Sequence, residues 1–133
     1  MTAVAWVFAL IAAGIHILVF LWESVLFQRP GVHQGVFSVA TADVPVVRLW
    51  AFCVGFYNLF LAVGLFIGVG AWATGSDVVG RTLLVYICAF MVLSGIVLFI
   101  ADRMALGRER GKGVRGSIAE AVPPLIALVA AVV

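Results

Sequence analysis

The chain has 133 residues, of which 65% are hydrophobic and only 11% charged, with a formal net charge of +2 and a mean hydropathy of +1.27. Soluble domains carry about 25% charged residues, and one domain of this length has too little interior to hide so much apolar surface from water. The composition therefore excludes a soluble globular domain, lends no support to nucleic-acid binding, and requires lipid as the solvent.

Four apolar stretches follow in chain order, at about residues 3–27, 46–72, 80–101 and 116–133. Each approaches the roughly twenty residues that a membrane-spanning helix needs. The first has no Lys or Arg ahead of it and no small-residue cleavage pattern after it, so it reads as a retained span rather than a removable signal peptide. The loop that follows, residues 28–45, mixes polar residues with Val32, Val36, Phe37 and Val39. It reads as a short interfacial helix, with a mobile lid over a site as the alternative. The second span carries Gly64 and Gly68, a small-xxx-small pair suited to helix packing. The fourth contains Pro123 and Pro124, which membrane helices tolerate when neighbours satisfy the freed carbonyls. Cys53 and Cys88 both fall inside apolar stretches and read as small hydrophobes. The expected fold is all-α: a polytopic membrane protein, one domain, four transmembrane helices in a bundle.

Seven of the eight basic residues lie in or beside the first and third loops, and only Arg81 belongs to the second. The positive-inside rule then expects loops 28–45 and 102–116 in the cytoplasm and both termini outside. Trp6 and Trp72 at one boundary, with Trp22 and Trp50 at the other, fit two interfacial aromatic belts. The third loop, rich in Gly as well as Arg, reads as a flexible topology determinant that also attracts anionic headgroups.

Polar residues inside the spans carry most of the functional information, because an ionisable group at a helix centre costs about 2.5 to 3.5 kcal/mol on insertion scales. His16 and Glu23 are two turns apart on one helix face. Tyr57 and Asn58 lie near the middle of the second span. Counting 1.5 Å per residue puts His16 and Asn58 roughly 16 to 18 Å deep, and Glu23 and Glu120 roughly 6 Å. Two tiers result: His16 with Asn58 or Tyr57 above, and Glu23 with Glu120 near Arg48, Asp102 and Arg103 below. The lower tier could hold an ion-pair network. His16, Glu23, Tyr57, Asn58 and Glu120 are the candidate ligand-binding residues, with Arg48, Asp102 and Arg103 as candidate structural ion pairs. Each has a plainer reading, as an interhelical hydrogen bond or an end-of-helix pair. No phosphate loop, zincin motif, vicinal cysteine pair or nucleophile elbow occurs. His33 lies in a loop, so only His16 could serve as an axial ligand, and neither haem nor another metal or cofactor is expected.

The segment from His16 to Glu23, with Pro30 and Phe37 after it, resembles the small bacterial membrane-protein family catalogued as domain of unknown function 1304. So do Gly55-Phe-Tyr57-Asn58-Leu-Phe60-Leu-Ala62-Val-Gly64 and the terminal Glu120-Ala-Val-Pro123-Pro. Two departures stand out: Cys53-Val54 where that family usually has Asn-Gln, and Glu120 where it usually has Gln. The resemblance implies a four-helix fold in the bacterial inner membrane and no settled activity. Two functions are expected to compete: binding or processing of a lipid or small hydrophobic ligand in a polar intramembrane pocket, and an accessory subunit packed on a larger membrane complex. A dimeric small-molecule transporter is the third. The expected partners are membrane lipids, with a homo-oligomer or larger complex open.

Overall fold

The computed structural model describes all 133 residues. Its helices are α1 (Thr2–Phe20), the single turn α2 (Pro30–His33), α3 (Val44–Ala73), α4 (Asp77–Arg103) and α5 (Val114–Val132). Four of them, α1 with its extension to Val25, α3, α4 and α5, are long and apolar enough to cross a membrane, and the chain is a multi-pass membrane protein. They run alternately up and down and close a ring, α1 beside α3, α3 beside α4, α4 beside α5 and α5 back against α1. Pro123 and Pro124 sit inside an unbroken α5.

Alanine decides how closely the ring closes. Ala5, Ala9, Ala12 and Ala13 are buried along one face of α1, and Ala127, Ala130 and Ala131 along α5. Between them pack Leu65, Leu84, Cys88 and Met91, all without exposure. Lipid supplies no hydrophobic drive between helices, so close van der Waals approach must hold them, and small residues make it possible. Only 26 of 133 residues are buried. Leu10, Phe52, Phe60, Leu93 and Val97 are among the apolar residues that face outward, a surface that water would penalise and acyl chains accept.

One close crossing is at the short turn between α3 and α4. A side chain on Gly80 would run into the Trp72 backbone and the Gly68 carbonyl. Gly64, by contrast, makes room for the end of Ile87. Trp6 meets Trp72 edge to face at 6.0 Å. Arg81 lies over the Trp72 ring and donates from Nη2 to the Ala131 carbonyl at 2.6 Å, satisfying one of the orphan acceptors at the end of α5.

Both loops differ from their expected form. Residues 28–43 hold less helix than a surface helix would, one turn at Pro30–His33 and a 3₁₀ turn at Thr41–Asp43. They are knotted around buried Val32 and His33. His33 donates from Nδ1 to the Val39 carbonyl at 2.9 Å, and the Phe27 and Phe37 rings pack tilted at 46° with centroids 5.7 Å apart. The loop after α4 is pinned rather than flexible. Asp102, fully buried, accepts the backbone N–H groups of Gly111 and Gly113 at 2.8 and 2.7 Å. Its charge is thus satisfied by main chain.

Candidate functional site

At the loop end α1 changes its winding. The Leu26 amide bonds back five residues to the Leu21 carbonyl at 2.8 Å, and Leu21–Val25 form one π turn. A π turn inserts a residue without breaking the helix, and such turns recur at functional sites. Here it carries Glu23 and Ser24. Gly55 on α3 lets this turn approach backbone to backbone, since a side chain there would meet Ser24 Oγ. The Ser24 hydroxyl donates to the Phe52 carbonyl at 2.9 Å, tying the π turn to α3.

Glu23 is half-buried and receives a hydrogen bond from Asn58, Nδ2 to Oε2 at 2.9 Å. Asn58 Nδ2 also donates to the Val54 carbonyl at 3.2 Å, so both amide hydrogens are used and Oδ1 is left as an acceptor. Glu120, half-buried on α5, lies within electrostatic reach of Glu23 and of Arg108. Below Glu23 lies a cavity of about 90 Å³ lined by Glu23, Ser24, Phe27, Gln28, Arg48 and Phe52, with Val25. The Gln28 carboxamide, turned so that its oxygen faces Arg48, accepts from that guanidinium at 2.5 and 2.9 Å. Amide orientation follows from the hydrogen-bond network. The cavity therefore runs from a carboxylate within the helices to a guanidinium at their end.

The structure redistributes the expected tiers. Asn58 reaches Glu23, not His16. His16 is buried and donates from Nδ1 to the Ala12 carbonyl one turn earlier at 3.0 Å, and no polar side chain of another helix bonds it. Tyr57 does not join the site. It is 61% exposed and shares an outward groove with Phe60, Leu83, Tyr86 and Phe90, because one residue of helix turns it about 100° from Asn58. The expected ion-pair residues take other close partners, with Arg103 and Arg108 still within electrostatic reach of Asp102. Asp102 takes backbone amides, Arg103 lies over the Phe99 ring at 5.9 Å, and Arg48 faces Gln28. Sequence reasoning missed Ser24, Gln28 and Phe52. Ser24 and Gln28 had a usable signal, as polar residues one and five places after the only acid of the first span. The π turn had none.

No curated protein and no solved structure matches the chain. A family model described as Protein of unknown function (DUF1304) matches residues 10–132, the region that contains all four spans but for the first turns of α1, the Glu23–Asn58 pair and the cavity. The chain belongs to that family.

Proposed function

We propose that the protein binds a small ligand by its polar groups in the Glu23–Arg48 cavity, at the end of the helices where both long loops lie. The observation that carries this reading is the π turn. It sets an acid, a hydroxyl and, through the loop, a carboxamide around one partly open recess, and Arg48 lines the opposite side. A purely structural Glu23 would need its amide partner and nothing more. Seven of eight basic residues lie at this end, which supports a cytoplasmic-facing cavity under the positive-inside rule. The packed alanine-rich interior supports binding at one end over transport through a single copy.

The test is native mass spectrometry of the full chain extracted in mild detergent, compared with Glu23→Gln. Retention of a non-protein mass by the wild type and its loss in the variant is expected. If the wild type is bare, and membrane extract raises its thermal midpoint no more than that of Glu23→Gln, the reading fails.

One observation favours the second reading, an accessory subunit. Tyr57 and Tyr86, 61% and 70% exposed, put two phenols on a single outward groove of about 430 Å³, where hydrocarbon offers them no hydrogen-bond partner. Co-extraction of a larger protein through that face would support it.

A further inference from the structure

The cavity is polarised, and its polarity is opposite to that of a phospholipid headgroup. At the inner end the free positions are acceptors. Glu23 Oε2 is taken by Asn58 but Oε1 is not, and the Ser24 hydroxyl has spent its hydrogen on Phe52, leaving its oxygen lone pairs. Trp6 Nε1 is the one fully enclosed side-chain polar atom without a partner, so the unbonded Glu23 Oε1 is not sealed in, and Glu23 lines the cavity. At the rim the free positions are donors: the remaining N–H groups of Arg48 and the Gln28 NH₂, once its oxygen is turned to the guanidinium. Gly55, which packs beside Glu23, is seven residues along α3 from Arg48, so these two backbone positions differ in depth by roughly 10 Å along the helix axis, with the Arg48 side chain at the rim beside Gln28. Buried Phe27 supplies an apolar wall between them, and the partly exposed Phe52 and Val25 line its outer edge.

A phospholipid lying in the adjacent leaflet presents the reverse sequence, with acyl chains deepest, then phosphate, then amine toward water. Its phosphate would meet the carboxylate. A ligand matching the cavity carries its ammonium foremost and its anion behind. A recess of about 90 Å³ is small beside the roughly 300 to 1,000 Å³ of drug-sized ligand pockets, which suits a chain of two or three carbons between the charges.

Resting on the reading of this cavity as a ligand site, we infer that the ligand class is a short aminoalkyl anion, an aminocarboxylate or aminophosphonate, taken up amine-first from the loop side. The ammonium is held by Glu23 and Ser24 and the anion by Arg48 and Gln28.

The test is thermal unfolding of the full chain in mild detergent with 3-aminopropionate, 3-aminopropylphosphonate, propylamine, propionate or a short-chain phosphatidylethanolamine as the probe. The two bifunctional probes are expected to raise the midpoint in a saturable way, and the singly charged ones not. Glu23→Gln and Arg48→Gln are each expected to weaken the apparent Kd about tenfold or more, the loss of one charged hydrogen bond. Arg48 is exposed, so Arg48→Gln keeps the fold even if Glu23→Gln does not. Stabilisation by the phospholipid and not by 3-aminopropionate overturns this inference while leaving a ligand site at the cavity. Equal stabilisation by propylamine alone, or bifunctional binding unchanged in Arg48→Gln, overturns it as well. No response to any probe, together with a retained mass in native extraction, overturns the ligand class alone; no response and no retained mass overturns both readings.

Discussion

Gly80 and Gly55 each mark a place where two helices meet backbone to backbone, yet their surroundings differ in kind. Around Gly80 the obstacles to a side chain are the Trp72 amide nitrogen and Cβ and the Gly68 carbonyl, none of which a side-chain truncation removes, backed by the Trp6–Trp72 contact and the alanine core. Around Gly55 the first obstacle is the Ser24 hydroxyl, with Glu23 Cβ at 3.1 Å, and a polar cavity lies below. The same device, a missing Cβ, closes one end of the molecule and at the other brings a polar π turn against α3. Packing alone explains the first. The second needs a reason for spending an acid and a hydroxyl inside the membrane, where leucine would be accepted at less cost.

The sharpest contrast is expected from enlarging the two glycines. Gly80→Leu forces Trp72 and Gly68 apart, and a loss of about 3 kcal/mol or more is expected, seen as little folded protein after detergent extraction and a collapsed thermal midpoint. Gly55→Ala should cost about 1 to 3 kcal/mol, and adding Ser24→Ala should recover part of it, because the nearest obstacle is then gone. Recovery of Gly80→Ala by any single side-chain truncation would blur the distinction.

Asp102→Ala is expected to cost about 1 to 3 kcal/mol by stranding the Gly111 and Gly113 amides. Trypsin should then cut faster at Arg108, Arg110 and Lys112, while the cavity beside Glu23 keeps its ligand response. A smaller effect is expected for the membrane hydrogen bond. A double-mutant cycle with Glu23→Gln and Asn58→Leu should give a coupling of about 0.6 kcal/mol and at most about 1.7 kcal/mol. Tyr57→Phe should change the unfolding midpoint by less than about 0.5 kcal/mol in equivalent stability, since its hydroxyl has no partner within the chain; a larger loss in native membranes than in detergent would point to a covering subunit.

The four helices were legible because apolar length is a coarse signal that survives any local detail. Their ends moved by only a few residues, as at Val44 and Arg103. Glu23 and Asn58 were legible as residues that need partners, but their pairing was not, because a straight-helix depth count sets Asn58 level with His16. The π turn adds a residue to α1 just at Glu23, and Gly55 lets α3 close on it, so the carboxylate reaches an amide assigned to the other tier. Tyr57 was misplaced because adjacent residues on a helix share depth but not direction. The role of Asp102 lay beyond reach of side-chain pairing arguments altogether. Its partners are backbone amides nine and eleven residues away, and a sequence shows side chains, not which main-chain donors a loop will leave unpaired.

The contrast between a closed end and an open one can be measured with thiols. In a Cys53→Ala background, Ser24→Cys places one thiol in the cavity, while native Cys88, fully buried in the alanine core, serves as the internal reference. A membrane-impermeant thiol reagent applied from the loop side of oriented vesicles should modify one thiol per folded chain, at position 24, with Cys88 reacting only after denaturation. Protection of position 24 equal to that of Cys88 would contradict an accessible polar cavity, and with it the account given of Glu23.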